Sequence, residues 1–206
     1  MKTLARHPLK ATIALIISGI ASGVANAAST GGCDNYAPTT GETVTCTSSV
    51  TPAATAGVNT STDSNNNNVT VNIAAGTIIS ISGSPVGIGS ASTVTNSGTL
   101  NSNSFNSGYG ISFGANSRSQ AGGNTVTNTP TGVIQTGGDS AAGIYITSTN
   151  LTSAQNTISN AGSITSTGSN APGIRLVNAR NTDVITNTGS ISSATSDGIS
   201  VAGAAT

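Results

Sequence analysis

The sequence predicts an all-β fold: a right-handed parallel β-helix (β-solenoid) of about five coils, three short strands per coil, after a cleaved signal peptide. Three observations predict it. An export leader precedes the fold, a short text recurs through the remainder, and aliphatic residues alternate with Ser, Thr and Asn within each copy.

The leader spans residues 1–27. Lys2, Arg6 and Lys10 make a positive start, "ATIALIISGI" (Ala11 to Ile20) is an apolar run, and Ala25-Asn26-Ala27 is an A-x-A cleavage site. The run is shorter than the roughly 20 residues a membrane span needs, and no second apolar stretch follows, so no membrane span is expected in the mature chain. Export by way of the periplasm is the expectation, to the cell surface, the outer membrane or the medium.

Cleavage after Ala27 removes both lysines and the single histidine, His7. Three arginines then face six acids, a formal net charge of −3. Nucleic acid is disfavoured as a partner, because no basic stripe exists to displace counterions from phosphates.

Residues 28–68 read as an N-terminal cap with a polar stretch. Its two cysteines, Cys33 and Cys46, are expected to form a disulfide in an oxidising compartment. Free thiols or half a metal site form the competing reading, and no other Cys or His remains to complete a zinc shell.

Residues 69–206 hold the coils. Each unit has two parts, the first around an Asn and a Gly, the second ending in Gly-Ile. It reads "VTVNIAAGTI" then "VGIGS"; "TVTNSGTL" then "YGISF"; "TVTNTPTGVI" then "AGIYI"; "TISNAGSI" then "PGIRL"; "VITNTGSI" then "DGISV". The recurrent asparagines are Asn72, Asn96, Asn128, Asn160 and Asn187. Glycine interrupts the units too often for helix, while period-two alternation of Val, Ile and Thr suits strands. Stacked coils bury each other's apolar columns, which no single coil could do alone.

Parity assigns the inward columns. One contains Val94, Val126, Ile158 and Ile185. A second contains Ile78, Leu100, Ile134, Ile164 and Ile191. A third contains Ile88, Ile111, Ile144, Ile174 and Ile199, with Phe113, Ile146, Leu176 and Val201 two residues on. The first unit fits worst, with Thr70 and Ser90 at positions expected to be aliphatic. The Asn column reads either as a surface array or as a structural ladder of stacked amides at a turn that favours left-handed backbone; the structural reading is preferred because buried amides need partners. At the back, "GISVAGAAT" offers no cap, so either a fragment or a partner covering that end is expected.

The leader, the early Cys loop ending in "GETVTC" and the repeated Asn-x-Gly-x-Ile…Gly-Ile coils together resemble the passenger region of Gram-negative autotransporters (type V secretion). The resemblance implies a β-helical surface protein whose partner is a C-terminal outer-membrane β-barrel translocator. No series of ten-residue amphipathic strands with aromatic girdles occurs here, so it implies a passenger fragment apart from its barrel. It also implies adhesion to surfaces, cells or glycans through a host or cell-surface ligand it does not name.

Enzyme chemistry finds little material. Without His or Lys after the leader, Ser-His-Asp and Cys-His catalysis, Schiff bases and phosphate loops are excluded. The carboxylates share no register, so a secreted polysaccharide-active β-helix, lyase or glycosidase, would need an active site on coils beyond this sequence; it is the alternative reading. No catalytic, metal or cofactor-binding set is assigned, and no cofactor is expected. Tyr145 and Arg175 each follow a Gly-Ile in adjacent coils and are expected side by side outside, a candidate surface contact.

Overall fold

The computed structural model describes residues 32–50, 57–59, 67–103, 108–114, 122–148 and 154–203; the leader lies outside them. Among these residues seventeen strands wind in six successive rungs. The first rung holds β1 (Thr43–Cys46) and β2 (Val58–Asn59). The second holds β3 (Thr70–Ile73), β4 (Ile78–Ile81) and β5 (Val86–Ile88), and the third β6 (Thr93–Asn96), β7 (Thr99–Ser102) and β8 (Ile111–Phe113). The fourth holds β9 (Thr125–Asn128), β10 (Val133–Thr136) and β11 (Ile144–Thr147). The fifth holds β12 (Thr157–Asn160), β13 (Ser163–Ser166) and β14 (Ile174–Ala179), and the sixth β15 (Val184–Asn187), β16 (Ser190–Ser193) and β17 (Ile199–Gly203).

Each strand pairs in parallel with its counterparts in the neighbouring rungs. Three sheets result, in the orders β1-β3-β6-β9-β12-β15, β4-β7-β10-β13-β16 and β2-β5-β8-β11-β14-β17. This is a parallel β-helix. In the first rung Val50 bridges to Ile79 and stands in for a strand of the second sheet. Among the described residues no helix is long and apolar enough to cross a membrane.

The core is thin because only alternate residues face it. Val94, Val126 and Ile158 align in the first sheet, Leu100, Ile134 and Ile164 in the second, and Ile111, Ile144 and Ile174 in the third, all fully buried. Phe113, Ile146 and Leu176 form the further column. At the sixth rung Ile185 and Ile191 are partly buried, while Ile199 and Val201 are exposed.

Two of the repeated glycines are explained by close approach between rungs. A Cβ on Gly162 would collide with the carbonyl oxygens of Gly132 and Thr129, and one on Gly143 with Ile164 and the carbonyl of Gly173. The corner after the first strand, and the entry to the third, therefore accept no side chain.

The second rung corrects the sequence reading. Val71, not Thr70, aligns with Val94, and Thr70 pairs with Thr93 on the outside. Ile79, not Ile78, aligns with Leu100; Ile78 pairs with Thr99 and is 46% exposed. Ile88 aligns with Phe113, and Val86 takes the place beside Ile111. The reason is burial. In "VTVNI" the aliphatic alternation puts Val71 and Ile73 inside, and that phase prevails over alignment by the Asn motif.

Part of the segment read as a cap is a rung of the solenoid. Thr43–Cys46 pairs in register with Thr70–Ile73, so one rung lies before the repeats begin. Cys33 and Cys46 are joined as a disulfide, both buried. The preceding segment satisfies the outer edge of this rung. Asp34 N donates to Thr45 O, Thr47 N donates to Gly32 O, and Asn59 N donates to Tyr36 O.

Candidate functional site

The polar residues of the repeat divide into an inner, structural set and an outer, available set. The inner set includes the asparagine column. Asn96 Nδ2 donates to Asn128 Oδ1 at 2.9 Å, Asn128 Nδ2 to Asn160 Oδ1 at 2.7 Å, and Asn160 Nδ2 to Asn187 Oδ1 at 2.7 Å. Asn96, Asn128 and Asn160 are at most 1% exposed, so the amides run along the axis inside the corner. None of these four has positive φ; among the described residues the positive-φ non-glycine residues are Asn68, Ala91, Ser140, Asn170 and Asn178. The ladder is therefore held by amide pairing and not by the left-handed backbone the sequence suggested. Asn72 is outside the ladder: it pairs with Thr95, while Ile73 and Cys46 extend the column of Asn96.

A second ladder was not read from the sequence. Asn124 Nδ2 donates to Asn156 Oδ1 at 3.0 Å, and Asn156 Nδ2 donates to Asp183 Oδ1 at 3.2 Å. Ser92 N donates to Asn124 Oδ1, and Ser92 Oγ accepts from Val69 N. Its signal was present: Ser92, Asn124, Asn156 and Asp183 each lie four residues before a member of the first ladder. Asp183 is thereby engaged in holding a corner.

The outer set has two features. On the second sheet an open cleft of about 270 Å³ crosses three rungs, lined by Asn101, Asn103, Gln135, Thr136, Gly137, Thr165 and Thr167. Its outward column Asn101–Gln135–Thr165 is in register. Every polar group there is an amide or hydroxyl, so the cleft offers neutral donors and acceptors and no charge.

The third sheet carries the other feature. The sequence placed Tyr145 beside Arg175, and the two are register partners on β11 and β14. Sequence reasoning missed Tyr109, which stacks on Tyr145 with ring centroids 4.3 Å apart and planes 7° from parallel. Tyr109 N donates to Ser84 Oγ of the preceding rung, fixing the backbone that delivers the ring. Burial raises the Tyr109 phenol above its ordinary pKa, as does neighbouring Tyr145, while Arg175 lowers it in part.

These three side chains are partly exposed. Among the described residues neither phenol hydroxyl has a hydrogen-bond partner, and the Arg175 guanidinium has neither an ion pair nor a hydrogen bond. Ser112, which pairs with Tyr145 on the same outward face, is 1% exposed, and its Oγ is unpartnered. The arrangement can engage a ligand by stacking, by hydroxyl hydrogen bonds and by a two-pronged cation. No group of three or more His, Cys, Asp or Glu that could hold a metal occurs among the described residues.

No protein-family model, no curated protein and no solved structure matches this chain.

Proposed function

We propose that this chain is an exported, non-catalytic surface protein, the β-helical passenger region of an autotransporter, and that it works by adhesion. One observation carries the reading: the outward faces present ordered, neutral amides and hydroxyls, as in the cleft of Asn101, Gln135 and Thr165, on a rod whose polar ladders are used up internally. A rigid scaffold with such faces suits contact with extended, hydroxyl-rich surfaces, since little conformational freedom is lost on binding. The export leader and the repeat text support display outside the cytoplasm. An outer-membrane β-barrel is the partner that would deliver it there.

The test is expression of the chain with its leader in a Gram-negative host. Sequencing of the exported product should begin at Ala28. The purified product should be retained on immobilised glycans or cell surfaces without altering them. Retention in the cytoplasm would overturn export. Release of reducing ends or unsaturated sugars from polysaccharide would overturn the non-catalytic reading.

A further inference from the structure

We propose that Tyr109, Tyr145 and Arg175 form a binding site for a carboxylated pyranose, a uronate or a sialate residue of a glycan. The proposal rests on the adhesion reading and gives it a ligand class.

Aromatic residues are scarce in this chain: three Tyr, two Phe and no Trp among 206 residues. Phe113 is used up in the core and Tyr36 accepts from Cys33 N near the disulfide. The other two tyrosines meet on one outward face, from different rungs, in a parallel stack. Core packing does not explain a pair that stays partly exposed. Stacking costs each ring its freedom in the unbound protein, so a ligand finds the surface already arranged.

Arg175 adds charge from the neighbouring rung, where its backbone lies one strand spacing (about 4.8 Å) from that of Tyr145. The acids of the neighbouring rungs do not neutralise it. Asp139 Oδ1 accepts from Ser169 N, and Asp183 accepts from Asn156 and from Arg180 N. Asp197, in the next rung, forms no ion pair with Arg175.

The chemistry selects the ligand. A guanidinium takes a carboxylate in a bidentate fork, which a neutral sugar would leave unfilled. The phenol hydroxyls match ring hydroxyls, and the outer face of the stacked pair matches the C–H face of a pyranose; an inorganic anion would use neither. Ser112, buried beside the stack with its hydroxyl unpartnered, keeps a further polar atom under the patch.

The exported chain, leader removed, is titrated calorimetrically with trigalacturonate, with 3′-sialyllactose and with lactose. One acidic probe should bind at least about tenfold more tightly than lactose, and which one identifies the source. Arg175→Gln should weaken that binding about tenfold or more, and Arg175→Lys should restore only part, because it keeps charge and loses the fork. Tyr145→Leu should weaken it too, with unchanged circular dichroism. Acidic probes binding no better than lactose, or an unaffected Arg175→Gln, would overturn the site. Retention on cell surfaces is measured in parallel. An Arg175→Gln variant that titrates like the wild type, beside full retention of the wild type on surfaces, sinks this site and leaves adhesion standing; failure of the wild type on every surface sinks adhesion, and the titration still decides the site.

Discussion

Asn128 donates its Nδ2 to Oδ1 of Asn160 at 2.7 Å, and both side chains are 1% exposed. Each of these two amides is donor to one neighbour and acceptor from the other, so the corner has polar cohesion from Asn96 to Asn187.

Removing one member should therefore cost more than one hydrogen bond. Asn128→Ala strands the Asn96 Nδ2 donor and the Asn160 Oδ1 acceptor, and should destabilise by about 1–3 kcal/mol. Asn72→Ala, on the outside, should cost far less. Urea unfolding of the two variants checks this, and equal losses would count against the ladder.

Register is tested by charge. Ile164 is fully buried between Ile134 and Ile191, whereas Ser163 faces outward. Ile164→Asp should prevent folding or lower stability by several kcal/mol, about 3 or more, and Ser163→Asp should be nearly silent. Thermal melts of the pair decide it.

Close approach between rungs predicts the effect of the smallest side chain. Gly162→Ala should destabilise by about 1–3 kcal/mol, because the new methyl meets backbone carbonyls that cannot turn away. Gly41→Ala meets nothing nearby, yet its φ of 82° also disfavours alanine, so it should cost only about 1 kcal/mol.

The disulfide closes the front rung. Cys33 and Cys46 are buried, so the exported protein should resist thiol labelling until denatured and reduced. Replacing both by serine should cost about 2–4 kcal/mol, read from chemical unfolding.

Tyr109 predicts a pH dependence. Its phenol ionises at higher pH folded than unfolded, because burial disfavours the phenolate. Its contribution to stability is fully present below the unfolded value of about 10 and is lost as pH rises through the folded value. Ultraviolet titration should show one tyrosine titrating late. Arg175→Gln should delay it further, since that cation favours the phenolate.

From the third rung to the sixth, the sequence by itself determined the strands, their inward columns and the place of each asparagine. A period of two, one buried face and glycines where rungs crowd leave a single register, because a one-residue slip would expose every aliphatic residue at once. The same rule lets Val71 and Ile73 place the second rung where the Asn motif misleads. The sequence also placed Tyr145 beside Arg175, since both follow the same landmark. Tertiary structure alone decided that Thr43–Cys46 is a rung, for it carries no repeat text and is recruited by the open edge of β3. It alone brought Tyr109 onto Tyr145. Tyr109 follows a stretch of sequence whose length varies between units, so no periodicity reports where its side chain falls; its bond to Ser84 in the preceding rung and its stacking on the next rung fix it.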